Sequence, residues 1–411
     1  MDSLTQITLG AAVGEIVLGR KIGNRAMIWG AVAGTIPDLD VISSLFTDTM
    51  NYLPCHRGFT HSILFSVLFG PFFGWAVMQY YERAGYRRPI LKYLLSAFLG
   101  FVLLAIAFGS LRTAVIGSST FWWIAGITWS LLVLPYGLRK LYKYCRTPVG
   151  PLPERVGLKE WSIFFFLALV THPILDCFTT YGTSLYLPFS NERVAWNWIS
   201  IVDPIYTVPF LTLVIIASTY ARQSKVRRRL VVFSLVLSTS YLALCGLSKF
   251  RTDRAFKEHL ASNQIEVRKY MSSATLFNSI LWQSLAETEN GFYYGVHSLF
   301  DSPNDVNFEW VPKNSELLAK YEGTKALRVL KWFTKGYYNA VQTEDGTVQL
   351  NDLRFGVRGA WSGHEEIKYN YFFHFDDSDE NVTINDEKSR ESFLTSEEME
   401  RFWHRIWGNN N

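Results

Sequence analysis

The chain has 411 residues, 49% hydrophobic and 16% aromatic, with a formal net charge of +4. Charge is divided unevenly: residues 1–248 hold 21 Lys and Arg against 11 Asp and Glu (net +10), and residues 249–411 hold 19 against 25 (net −6). The basic residues fall between apolar runs and make no continuous stripe, which argues against a nucleic-acid partner, and four cysteines without a CxxC pair argue against a disulfide framework.

In chain order, apolar runs of about 20 residues, the usual spanning length, occur at roughly 62–81, 90–110, 119–138, 160–178, 203–221 and 229–248. Two weaker runs, 3–19 and 26–46, are rich in Gly and Ala and suit close helix packing. No basic region precedes the first run and Glu15 interrupts it, so a cleavable signal peptide is not expected. Glu15 itself is buried by pattern and has no assigned role. Lys and Arg gather at 20–25, 83–92, 139–159 and 222–229, which the positive-inside rule places in the cytoplasm.

These runs predict an α-helical polytopic membrane domain of six to eight spans over residues 1–248. A helical connector follows at 249–275. Residues 276–411 read as an extracytoplasmic, soluble mixed α/β domain, with a hairpin at Glu344-Asp345-Gly346-Thr347 and a strand at Tyr369–Phe375. An amphipathic helix is expected at Glu397–Trp407, and Asp376–Glu380 reads as a solvated acidic loop.

Ionisable residues inside a membrane are costly, so those within the apolar half point to function. His172 and Asp176 stand four apart on a helix and face one side, within reach of one ion; a helix-end hydrogen bond is the plain alternative. His56 and His61 flank Gly58, where a turn followed by a helix capped by Thr60 brings them together. Arg57 between them suits either an anionic oxygen of a substrate or a lipid headgroup. Asp38 and Asp40 follow Pro37, which disfavours helix, and two carboxylates so close repel unless a cation lies between them. Asp2 and Asp203 are further candidates, each with a simpler reading as a surface charge or a helix cap. Arg193, in an outer loop, is a second candidate anion holder. Cys55 and Cys177 adjoin His56 and Asp176 but read as small buried core residues. On the topology above, all the site candidates fall near the outer face. Imidazoles with carboxylates suit zinc or manganese, with a water activated on an open position and Asp38 or Asp40 as base.

Four stretches, Met1–Thr5, Gly34–Asp40, His56–Ser62 and Thr171–Asp176, resemble those of the YdjM-like family of inner-membrane proteins, predicted metal-dependent hydrolases. The resemblance covers about residues 1–250. It implies a bacterial, multi-pass inner-membrane hydrolase; the expected metal ligands are His56, His61, His172 and Asp176, with Asp38 and Asp40 as further ligands or base. Many members carry a histidine after the opening Leu-Thr, where this chain has Gln6.

The leading expectation is therefore a membrane-embedded metal-dependent hydrolase at the outer leaflet, acting on a phospholipid or lipid-linked phosphoester. Membrane lipids are its expected partners, with an envelope partner reached through the outer domain. The competing expectations are a non-enzymatic ion-binding or transport protein and a membrane scaffold with an extracytoplasmic recognition domain. A transporter requires polar residues continuing toward the cytoplasmic side.

Overall fold

The computed structural model describes residues 1–83, 150–302, 306–358, 368–375 and 396–408, with positions 135, 138, 139, 142, 382 and 383 besides. The runs at 90–110 and 119–138 and the acidic loop at 376–380 lie outside these residues. Phe73–Trp161 form a compact unit of their own, in which Tyr81 stacks on Trp161 at 6.2 Å. The remainder of the chain, described next, forms the other unit.

Glycines set the first hairpin, made of α1 (Ser3–Ile22) and α2 (Asn24–Thr35). A Cβ on Gly10 would stand 2.2 Å from the Gly30 carbonyl oxygen, and one on Gly30 would stand 2.1 Å from that of Gly10. Backbone therefore lies directly on backbone, as small residues permit between membrane helices. Pro37 has no amide to continue the helical ladder. The chain tightens there into a 3-10 helix, Pro37–Leu45, with Ile36 N donating to Ala33 O at 3.2 Å. Asp38 and Asp40 are thus helical, although Pro37 was expected to disfavour helix there.

A short α3 (Thr49–Cys55) is capped by Asp48, and a 3-10 turn (Phe59–His61) leads into α4 (Ile63–Glu82). Ser62, rather than Thr60, caps α4 by accepting from Phe65 N at 3.0 Å. Next come α5 (Leu158–Asp176), α6 (Pro204–Thr219) and α7 (Lys225–Ser262). Among the described residues three helices are long and apolar enough to cross a membrane: α4, α5 and α7. The expected six to eight spans are not met among the described residues. The run at 203–221 yields a 16-residue helix, about 24 Å long against about 30 Å of hydrocarbon. The run at 26–46 breaks at Pro37.

The helix α7 outlasts its apolar stretch and buries Ala255 and Phe256 against Trp282 of the first sheet. That sheet is antiparallel, in order β1 (Lys269–Ala274), β2 (Leu281–Glu287), β3 (Gly291–Ser298), β4 (Asn307–Pro312). It begins inside the expected connector, because α7 stops at Ser262. After α8 (Lys325–Phe333) come β5 (Tyr338–Gln342), β6 (Val348–Asp352), β7 (Val357–Arg358), β8 (Lys368–Tyr369), β9 (Phe372–Phe375) and β10 (Val382–Thr383). The second sheet runs β10-β9-β6-β5, and β7 pairs with β8. The Asp345-Gly346 hairpin joins β5 to β6, with Gly346 at φ 84°. The expected strand at 369–375 is divided between β8 and β9.

α8 places Leu327, Leu330 and Phe333 in one core with Ala340, Leu350 and Phe373 of the second sheet. Met50 and Leu53 of α3 are buried in that same core, so the C-terminal domain grips the segment that precedes His56. The last helix, α9 (Ser396–Ile406), buries Phe402 and Ile406 with Leu281 and Phe292 of the first sheet.

Candidate metal centre

Four side chains converge from three places in the sequence: Asp38 from the 3-10 helix after α2, His61 from the turn before α4, and His172 and Asp176 from the end of α5. One ligand atom from each lies within 4.8 Å of all the others. His61 Nε2 and His172 Nε2 face each other at 3.2 Å. Asp38 Oδ1 lies 3.5 Å from the first and 3.3 Å from the second. Asp176 Oδ2 lies 3.4 Å and 3.3 Å from them. Donors about 2.0–2.1 Å from a tetrahedral zinc-type ion are about 3.3–3.4 Å apart, so these edges fit such an ion.

Tautomers agree with that fit. His172 Nδ1 lies 2.6 Å from the Gly34 carbonyl, so it carries the proton and leaves Nε2 bare. His61 Nδ1 lies 3.2 Å from Asp40 Oδ2, the carboxylate-behind-imidazole arrangement that orients metal-binding histidines. Asp176 Oδ1 accepts from Gln6 Nε2 at 3.0 Å and from the Met1 amino group, with Arg57 Nη2 at 3.4 Å. Asp176 Oδ2 is buried with no hydrogen-bond partner among the described residues. A bare buried carboxylate oxygen beside two imidazole nitrogens is costly, and a cation would relieve it.

Burial disfavours a charged His61, but the carboxylates of Asp176, Asp38 and Asp40 beside it outweigh that and push its pKa up to about 10. Burial also disfavours the charged forms of Asp38 and Asp40. Hydrogen bonds from His172 and His61 nevertheless hold Asp38 well below the ordinary carboxylate range, and those from His56 and His61 do the same for Asp40.

The remaining candidates take other positions. His56 stands beside the four, its Nδ1 2.8 Å from Asp40 Oδ1 and its ring stacked on Tyr52 at 5.3 Å. Arg57 sits at φ 54°, and a Cβ on Gly58 would approach the Cys55 carbonyl oxygen to 2.7 Å. That strained corner turns His56 outward and His61 inward. Asp40 accepts from His56, from Arg57 N (2.8 Å) and from Thr60 Oγ1 (3.2 Å), besides facing His61.

The Arg57 guanidinium is buried, donating to Thr179 Oγ1 at 3.1 Å and lying 4.9 Å over Tyr181. Arg193 lies 4.8 Å over Tyr181 and donates to the carbonyls of Leu53, His56 and Gly182. It is therefore a backbone tie. Asp2 caps α1, accepting from Thr5 N at 3.0 Å. Asp203 caps α6 and also accepts from Tyr241 and Ser279, each at 3.0 Å. Cys177 is buried as expected, whereas Cys55 is exposed because α3 turns Met50 and Leu53, not its last residue, toward the core.

Gln6, Thr179 and Tyr181 were not among the sequence candidates. Gln6 alone carried a signal, since it replaces a histidine frequent in the resembling family.

Comparison with known proteins adds three findings. A model of the YdjM inner membrane protein family matches residues 1–252. Over 303 residues the chain is 24% identical to the uncharacterized protein YfhP of Bacillus subtilis (strain 168), covering 72% of this chain and 68% of that protein. No solved structure matches it significantly. The family match ends within α7, so both sheets lie beyond it.

Proposed function

The chain belongs to the YdjM inner membrane protein family, and from that premise we propose a metal-dependent hydrolase acting at the outer leaflet on a phospholipid or lipid-linked phosphoester. The observation that carries this reading is the bare Asp176 Oδ2 facing two imidazole nitrogens 3.2 Å apart. Asp38, His61, His172 and Asp176 would hold the ion, zinc or manganese by donor chemistry. A bound divalent cation supplies Lewis acidity and brings the pKa of water toward 7.

Asp40 is saturated with donors, so it orients His61 and His56 and takes no proton itself. His56 turns Nδ1 to Asp40 and keeps Nε2 to accept and return a proton. Arg57 is committed to Asp176, Thr179 and Tyr181 and holds the ligand in place.

Of the four ligands only Asp38 keeps an exposed edge, 20% of its side chain. Leu39, Ile42 and Leu45 on its own 3-10 helix and Phe46 just after it are exposed, as are Leu4 and Phe59. An apolar rim around the open ligand supports a substrate that arrives through hydrocarbon. Among the described residues Glu15, an ionisable residue that could extend an ion path away from the site, is committed to Arg227 at 2.7 Å, which favours an enzyme over a transporter. In this reading the Lys- and Arg-rich helix ends face the cytoplasm. The sheet-containing domain then lies outside, where it can meet an envelope partner.

The test is elemental analysis of the detergent-purified protein together with a phospholipid and lipid-phosphate hydrolysis screen. About one ion per chain is expected, lost in folded His61→Ala and His172→Ala, with hydrolysis that stops on chelation. Folded wild-type protein that takes up neither zinc nor manganese would end the hydrolase reading. Ion binding with cleavage of soluble esters alone would end the lipid part.

A further inference from the structure

The ends of the helices remote from the metal centre carry a second feature, which is independent of the hydrolase reading. Arg222 donates to the carbonyls of Arg20 (3.0 Å) and Lys21 (2.7 Å), and Asn24 donates to that of Ser218 (3.0 Å). The end of α1, the start of α2 and the α6–α7 turn are thereby fastened together. Three consecutive arginines open α7, and they divide. Arg227 is buried and pairs with Glu15 at 2.7 Å and 2.5 Å, while Arg228 and Arg229 remain exposed.

Arg228 and Arg229 join Arg20 and Lys225 to line a groove of about 480 Å³, whose wall continues along α7 as Val232, Phe233 and Val236. No carboxylate is among its lining residues. The acid nearest in sequence to Arg20, Glu15, pairs with Arg227, and among the described residues no carboxylate pairs with any of the four cations at the mouth. The apolar residues recur at helical spacing directly beyond the cations, on the stretch of α7 that is apolar enough to span.

We infer that this groove seats an anionic phospholipid, its phosphate among Arg20, Lys225, Arg228 and Arg229 and an acyl chain along Val232, Phe233 and Val236. Basic pockets at the ends of spanning helices recognise anionic headgroups through charge-assisted hydrogen bonds. A basic loop that only obeys the positive-inside rule has no shaped trough. Here cations and apolar wall share one helix face, which selects a molecule with a phosphate at one end and hydrocarbon at the other.

Native mass spectrometry of the full chain in detergent tests this, with phosphatidylglycerol and phosphatidylcholine of identical chains as probes and inorganic phosphate as competitor. Phosphatidylglycerol is expected to be retained and phosphatidylcholine lost. The double substitution Arg228→Gln with Arg229→Gln should weaken retention about 30-fold. Both side chains are exposed, so its melting temperature in lipid-free detergent should equal that of the wild type. Should the double variant fail to fold, Arg20→Gln alone should weaken binding roughly fivefold. Equal retention of both lipids, or unchanged binding in the variants, would overturn the site. Displacement by inorganic phosphate at equal concentration would overturn the acyl-chain seat.

Discussion

His61 is held between opposing forces, and its protonation links the site to pH. In the ion-free protein its pKa rises from 6.5 to about 10, so the charged ring stabilises the fold fully below pH 6.5. That contribution fades as pH climbs toward 10. Asp38 and Asp40 shift the other way; their contribution is present above the ordinary carboxylate range and is lost as pH falls through it. Chelated protein should therefore be most stable between about pH 4 and 6.5, which thermal unfolding across pH will show.

An ion must displace the His61 proton to bind Nε2. Zinc binding at pH 7 should then release about one proton, measured by calorimetry in two buffers of different ionisation enthalpy. No proton release would remove His61 from the ligand set. Asp40→Asn, which keeps the shape and weakens the orienting contacts, should lower ion affinity or turnover about 10–100-fold. The four clustered residues were readable in the sequence as candidate ligands because each stands in a short motif with helical or turn spacing. The diversion of His56 to Asp40 was not, since it depends on the left-handed turn at Arg57, which a motif does not encode.

At the scale of elements, the α1–α2 contact governs the site through Gly34, whose carbonyl fixes His172. Gly30→Leu would drive a side chain into the Gly10 backbone, so ion content per chain should fall although no ligand is altered. The Gly and Ala content of both runs already signalled close packing. The break at Pro37 was legible as a boundary but not as a 3-10 helix, because the i→i+3 ladder needs only a small change from α geometry. Glu15 found its partner 212 positions away, and no local pattern announces such a pair. Arg227→Met alone should destabilise the protein by about 3–5 kcal/mol by leaving Glu15 buried and uncompensated. Glu15→Leu combined with Arg227→Met should recover most of that loss, read from paired unfolding curves of the single and double variants.

Across the larger unit, the C-terminal domain is part of the site's support. Leu53 lies in its core two residues before Cys55, and Arg193 ties the Leu53 and His56 carbonyls beneath Tyr181. Leu53→Ala should cost about 2–5 kcal/mol, with the loss shared between domain unfolding and ion retention when both are followed on heating. The β5–β6 hairpin was legible because an Asp-Gly turn is a local instruction. The docking of α3 onto α8 was not, because a seven-residue amphipathic segment matches many surfaces equally well.

The order in which a ribosome delivers these pieces differs from the order in which they lean on one another. Asp38, His61, His172 and Asp176 have all been synthesised by residue 176, when the strands and helix that bury Met50 and Leu53 do not yet exist. A nascent chain thus holds all four clustered side chains while the segment carrying His56 is still loose. Secure ion capture is expected to be a late event in biogenesis, timed by completion of a domain that contributes none of the four clustered side chains.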